Sequence, residues 1–422
     1  MPSILKLQNP FYGWYIVAGS FIIAFYVAGS IFYGFTTIFN PIVDEFGWSY
    51  AQVSLAASLR GVESGLLAPI VGILVDRLGP RRIVFSGACL AAVGMFMLSR
   101  IETLTGFYIS FGLIAIATST CTVTVLMTAV SNWFRKKVGL AMSIVSSGFG
   151  AAGLMVFIMA RTVDAYGWRD TVQGLAVGIL VILLPLSLLL RHKPQQYGYL
   201  PDGYIVPDKY GSIEKTENDI KEYGLTIRQA FRTRAFWFTA ILFICHHLII
   251  GTTITHVMPY LTNLGLSTTI ASLGASGIPL VSIVGRMGIG SLGDKIRRKR
   301  LIIMMFAMVS LGLIIFQFIN ILGVIGVIVF LVLFGIGYGG FNGLRPAFAR
   351  EIFGTRQYGT IFGCLVGIGM FGNIAGPYIA GKLFDIQGNY QNVWMIFAII
   401  GFIAFVSSIA INDKETNLEK EK

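Results

Sequence analysis

The stretch Gly323–Leu344, GVIGVIVFLVLFGIGYGGFNGL, holds no charged residue. Wound as an α-helix at about 1.5 Å per residue, such a run crosses the roughly 30 Å hydrocarbon core of a bilayer. Apolar runs of about 20 residues or longer recur along the chain. A membrane-spanning β-barrel would instead alternate polarity over strands of roughly ten residues. The chain is therefore expected to be an all-α membrane protein. Composition agrees: of 422 residues, 55% are hydrophobic and 12% charged, against about 25% charged in soluble domains. The 50 glycines suit closely packed membrane helices.

Apolar windows between charge and turn clusters define twelve expected spans, at roughly 11–38, 52–75, 83–99, 106–133, 138–160, 171–190, 235–261, 267–292, 300–319, 323–344, 358–384 and 392–411. An even number puts both termini on one side. Of the 32 Lys and Arg residues, 26 fall on the side of the termini, among them Arg77, Arg135, Arg191, Lys295, Arg345, Arg350 and Arg356. The opposite side has only Arg100, Arg161, Arg169 and Lys382. Basic residues stay cytoplasmic, so both termini are expected inside a multi-pass protein of the cell membrane. The net charge of +12 is thus assigned to topology, and no nucleic-acid partner is expected. The N-terminus, with one Lys before a long apolar run, is not a signal peptide.

The expected domains are a six-helix bundle over 1–190, a polar cytoplasmic linker over 191–234, a second six-helix bundle over 235–411 and a tail over 412–422. The two halves echo each other. Gly72-Ile-Leu-Val-Asp76-Arg77 follows span 2, and Gly290-Ser-Leu-Gly-Asp294-Lys295 follows span 8, each leading into a basic cluster. Glycine permits close helix approach, and the aspartate can pair with bases or a helix N-terminus at the cytoplasmic face. Twelve spans as six plus six, a central loop and this repeated motif resemble the major facilitator superfamily over the whole chain. The resemblance implies two bundles rocking around a midplane site, with spans 1, 4, 7 and 10 lining the cavity.

Two other patterns mislead. Gly148-Phe-Gly150-Ala-Ala-Gly153 matches a dinucleotide fingerprint but lies inside span 5, without the strand such a site needs; helix packing accounts for it, as for Gly367, Gly369, Gly372 and Gly376 in span 11. Cys89, Cys121, Cys245 and Cys364 each sit in an apolar run without metal-ligand spacing. No nucleophile with a base and no metal ligand set is found, so neither an enzyme nor a cofactor is expected.

Charged and polar residues inside spans mark the candidate site. Arg286, in GIPLVSIVGRMGIG, lies eight residues before Asp294, about 12 Å from the cytoplasmic helix end. An arginine at that depth costs about 2.5–3.5 kcal/mol on insertion scales. Residue 282, one turn away, is serine, so no acid on the same helix offsets it. An anionic substrate would, since a guanidinium holds a carboxylate bidentately; pairing with Glu63 or backbone carbonyls is the alternative. Arg60 and Glu63 share one face of span 2 at i, i+3. They read either as a structural pair or as a site where Glu63 accepts a proton. Span 7 carries His246, His247 and His256, each able to relay protons near neutral pH. Span 1 has Tyr26, Ser30 and Tyr33 in register, span 4 has Thr120, Thr124 and Thr128, and span 10 has Tyr338 and Asn342.

A span 8 arginine is similar to that of monocarboxylate transporters and oxalate:formate-type exchangers. Pro10-Phe-Tyr12-Gly13-Trp14 and Thr255-His256-Val-Met-Pro259-Tyr260 also resemble their span 1 and span 7 signatures. This sequence departs from the proton-coupled members at Ser282, where they place an aspartate, and in span 1, which lacks their lysine. The exchanger's span 11 lysine has no match except Lys382, near the outer end. The resemblance implies secondary transport of a small monocarboxylate such as lactate or pyruvate, coupled to protons, or alternatively organic-anion exchange without protons. Arg286 would hold the carboxylate, Tyr338, Asn342, Tyr33 and Thr124 would complete the cavity, and His247 or Glu63 would carry the proton. The chain is expected to act as a monomer.

Overall fold

In a bilayer every backbone amide must be satisfied within the chain, which favours helices. The computed structural model describes residues 11–62, 67–121, 123–134, 138–199, 224–289, 292, 296–354 and 356–411. Glu63, Gly290, Asp294 and Lys295 lie outside these, and of Arg60, Gly72, Asp76 and Thr124 only the backbone is described. The described elements are helical apart from one isolated β-bridge, Gly224 to Gly354. Among the described residues, ten helices are long and apolar enough to cross a membrane. The expected span 4 is interrupted by a turn at Thr120 and Cys121 between Leu104–Ser119 and Val123–Trp133, and the described helices of span 2 are Tyr50–Val62 and Ala68–Leu78. Within the stretch Ile319–Phe353 a kink at Gly323, which takes φ +57°, marks the start of span 10 where the sequence suggests it, and the helix then runs on past residue 344 to Phe353.

The chain forms two compact units. One holds Met1–Phe32, Leu66–Ala152 and Arg169–Lys221; the other holds Tyr33–Gly65, Gly153–Trp168 and Glu222–Lys422.

In the first unit the described part of the span 1 signature, Phe11 to Trp14, packs on the end of span 4. Phe11 and Trp14 meet Phe134 edge-on at 5.2 and 5.0 Å. Arg191, at the end of span 6, lies over the rings of Tyr12 at 3.9 Å and Tyr197 at 4.4 Å. Its carbonyl accepts Trp133 Nε1–H at 3.1 Å, and Tyr12 donates to the Leu189 carbonyl at 3.2 Å. Arg169 donates to the carbonyls of Ser99 at 2.9 Å and Ile101 at 2.8 Å, covering the unpaired carbonyls past the span 3 helix. The fingerprint-like Gly148 faces the Phe21 carbonyl of span 1, where a Cβ would come within 2.6 Å, as a packing glycine should.

In the second unit, span 7 (Arg234–Asn263) lies along span 11 (Tyr358–Gln387). Gly369 fits against the His247 ring. The segments Phe35–Phe46 and Tyr50–Val62 join the same pair of helices. Asp385 accepts the backbone N–H groups of both Tyr50 and Ala51 at 2.8 Å, capping a helix start with a carboxylate. The Tyr50 ring stacks 4.0 Å from Phe384, and its hydroxyl donates to Asn40 at 3.1 Å. Thr36 donates to the Thr255 carbonyl at 3.1 Å and accepts the Met258 N–H at 3.2 Å. The basic cluster after span 8 also has local partners: Arg298 pairs with Glu351 at 2.8 Å, and Lys299 donates to the Ile411 carbonyl.

Candidate functional site

Tyr33, Arg286, Tyr338, Asn342, His246 and His247, all of the second unit, are brought together by four elements. A π-helical turn over Ala28–Tyr33 ends span 1's first helix, and another, Gly285–Ile289, carries Arg286. π-Turns inside α-helices are rare and often mark functional positions. Span 10 supplies Tyr338 and Asn342, and span 7 supplies His246 and His247.

Span 8 reaches the site by pressing on a small-residue face of span 10. At Gly339 any Cβ would run into the Ser282 carbonyl. At Gly343 a Cβ would lie 3.2 Å from the Arg286 carbonyl oxygen. With the backbones this close, the half-buried Arg286 places its guanidinium carbon 5.8 Å from the centre of the Tyr338 ring. It also lies within hydrogen-bonding reach of the Tyr33 hydroxyl. Tyr33 and Tyr338, both buried, link their hydroxyls at 3.1 Å. Ser282 spends its hydroxyl on its own helix, donating to the Pro279 carbonyl at 2.6 Å.

His246 lies nearly parallel to Tyr338, 5.9 Å between ring centres at 22°, and packs against Phe341 at 4.6 Å. Its ring is in hydrogen-bonding range of the Asn342 side chain. Asn342 also donates to the Tyr338 carbonyl one turn back at 3.2 Å. His247 Nδ1 donates to the Phe243 carbonyl at 2.8 Å. A carbonyl only accepts, so the proton sits on Nδ1 and Nε2 keeps a lone pair.

Other expected residues lie elsewhere. Tyr26 does not join Tyr33; its hydroxyl donates to the Leu175 carbonyl at 3.0 Å within the first unit, and Ser30 donates to the Tyr26 carbonyl at 2.7 Å. The π-turn between Tyr26 and Tyr33 breaks the 3.6-residue register that would align them. His256 is a joint: its Nε2 lies 3.0 Å from the Pro377 carbonyl and 3.1 Å from Ser54 Oγ, and its Nδ1 lies 2.8 Å from the Tyr390 hydroxyl. Burial, helped by the charges of Tyr50 and Asp385, pushes the Tyr390 phenol well above its ordinary value, so it stays protonated and can donate to His256. The sequence reading missed the stacking of His246 on Tyr338, which needs the tertiary pairing of spans 7 and 10. It also counted Arg345 among the topology charges. Arg345 is half-buried, whereas Arg350 and Arg356 are exposed.

A helical membrane protein with a polar site built on its spans has the architecture of a transporter. The sequence profile of the Major Facilitator Superfamily matches residues 20–287 and again 247–422, and the chain belongs to that family. It is 25% identical over 400 residues to the oxalate:formate antiporter of Oxalobacter formigenes, covering 93% of this chain and 90% of that one. It is 24% identical over 430 residues to monocarboxylate transporter 4 of Mus musculus, covering 97% and 84%. Its fold is similar to a bacterial homologue of the human lysosomal transporter Spinster in an inward-facing, occupied conformation, with a TM-score of 0.73, 13% identity and coverage of 97% and 98%. The protein is a multi-pass membrane transporter of the major facilitator fold, related to monocarboxylate transporters and the oxalate:formate antiporter.

Proposed function

We propose that the chain is a secondary transporter of a small carboxylate, working by alternating access of its halves 1–190 and 235–411 in the cell membrane, with both termini cytoplasmic. The observation that carries this reading is Arg286 set among the Tyr33 and Tyr338 hydroxyls. A guanidinium offers two parallel N–H donors to a carboxylate, and phenols donate to its remaining lone pairs. In a site of low effective dielectric such charge-assisted bonds are strengthened. Asn342 and, from span 4, Thr124 are the proposed contacts for the rest of the substrate. His247, with Nδ1 committed to Phe243 and Nε2 open to a proton, is the proposed coupling group, with Glu63 as its rival. The relatives' names support a carboxylate cargo.

The test is uptake of labelled lactate, pyruvate, acetate, formate and oxalate into proteoliposomes, with and without an inward proton gradient and with or without internal counter-substrate. Losing one partner of a buried charge pair costs about 2–5 kcal/mol, so Arg286→Ala should raise KM by roughly two orders of magnitude. Unchanged uptake by that variant would overturn the assignment. Uptake driven by the gradient selects symport. Uptake that needs internal anion and ignores the gradient selects exchange.

A further inference from the structure

We propose that the turn leading into span 7 is a docking site for the headgroup of an anionic phospholipid. The proposal goes beyond the transport reading and does not depend on the cargo. Span 7 starts at Arg234 and is long and apolar enough to cross the membrane, so the residues around its start lie at headgroup depth. Arg228, Arg232 and Arg234 fall within seven residues there, and all three are exposed. Residues 225–237 contain no acid, and among the described residues none of the three has an acidic partner. Glu351, at the end of span 10, is paired with Arg298 at 2.8 Å. Two large rings stand among the arginines: Phe231 is 40% and Trp237 54% exposed, with ring centres 6.2 Å apart. Such rings settle at the bilayer interface. A guanidinium takes phosphate oxygens bidentately. A zwitterionic headgroup brings its own ammonium to that phosphate, whereas an anionic one leaves the charge for the arginines.

Topology alone asks only for positive charge at such a place. It does not ask for a backbone pinned as this one is. Gly224 pairs with Gly354 in the β-bridge, and the Leu225 N–H donates to the Phe353 carbonyl at 2.9 Å. Gly224 takes φ +122°, and a Cβ there would run into the same carbonyl, so the position suits glycine. Thr226 and Gln229 close a capping box over Ile227–Ala230. The Ile227 N–H donates to the Gln357 side chain at 2.7 Å, and Leu225 and Ala230 are buried. Thr233 then caps span 7, accepting the Phe236 N–H at 3.2 Å. Trp237 Nε1–H donates to the Phe231 carbonyl at 3.0 Å, which ties the two exposed residues together. A headgroup binding here has only side chains left to order, which favours affinity. Phe353 ends span 10 and Gln357 precedes span 11. One bound headgroup therefore anchors spans 7, 10 and 11 at a single point of the bilayer surface.

Fluorescence quenching in neutral detergent micelles tests this, with phosphatidylglycerol or phosphatidylcholine brominated on the acyl chains as probes. The Trp237 signal is the difference between wild type and Trp237→Phe. A basic residue near an anionic surface contributes about fivefold in affinity, so phosphatidylglycerol should quench that signal at a mole fraction lower by on the order of a hundredfold. Changing Arg228, Arg232 and Arg234 together to Gln should bring the two lipids level. Changing all three to Lys should keep most of the preference, because the charge stays and only the fork is lost. Arg232→Gln alone should cost about fivefold. Tm without added lipid, read for each variant, separates lost docking from lost folding. Equal quenching by the two lipids in wild type, or a preference that survives the triple Gln change, overturns the proposal. Micelles present neither a cargo gradient nor two sides, so the outcome stands apart from the Arg286 uptake test and from the orientation of the chain.

Discussion

The hydroxyls of Tyr33 and Tyr338, 305 residues apart in sequence, meet at 3.1 Å. Each phenol therefore sets the orientation of the other beside Arg286. Tyr33→Phe or Tyr338→Phe alone should raise substrate KM several-fold, since a neutral hydrogen bond contributes about 0.5–1.5 kcal/mol. The double variant should lose less than the sum of the two, because the shared bond is counted once. A double-mutant cycle on uptake KM measures the coupling. Full additivity would show that the two hydroxyls act separately.

Ser282 stands one turn before Arg286 and donates to its own helix. Ser282→Asp should place a carboxylate beside the guanidinium and compete with the substrate anion. KM should then rise by roughly tenfold or more at neutral pH. Uptake should recover as pH falls, because protonating the new carboxyl releases Arg286. Ser282→Asn, of similar size but neutral, should show no such recovery. The readout is KM against pH for both variants.

Asp385 caps the helix start at Tyr50 and Ala51. Asp385→Asn keeps an acceptor oxygen but removes the charge and one of the two bonds. It should loosen this contact by about 1 kcal/mol. Thiol labelling of Asn40→Cys, whose side chain lies in the same contact, should become faster in the Asp385→Asn background. An unchanged labelling rate would show that the cap does not hold this contact.

Gly339 leaves no room for a Cβ against the Ser282 carbonyl. Gly339→Ala should force spans 8 and 10 apart and destabilise the protein by about 1–3 kcal/mol, the usual cost of overpacking. Thermal unfolding in detergent checks this. Gly363→Ala, where a Cβ meets nothing within 4 Å, is the control and should leave Tm within a degree or two.

Much of the site was legible because membrane chemistry penalises charge. Arg286 stood out as a costly residue in an apolar run, and the i, i+4 spacing of Tyr338 and Asn342 put them on one helix face. Tyr26 misled because helical register carries over only while the helix stays α, and a π-turn intervenes. His256 looked like a relay candidate; its partners Pro377 and Tyr390 lie more than a hundred residues away, beyond any local pattern. Arg345 was read by its place near a span end. The structure leaves it half-buried, unlike Arg350 and Arg356.

The glycine face of span 10 has one more consequence. Arg286 and Tyr338 belong to helices whose backbones touch at Gly339 and Gly343, with no side-chain cushion to deform. Sliding one past the other would cost the dense packing that makes such interfaces snap between states rather than drift. The two residues thus behave as a fixed jaw. The Tyr33 hydroxyl reaches the jaw from span 1 through hydrogen bonds to Tyr338 and Arg286, contacts that can break while the jaw itself stays whole.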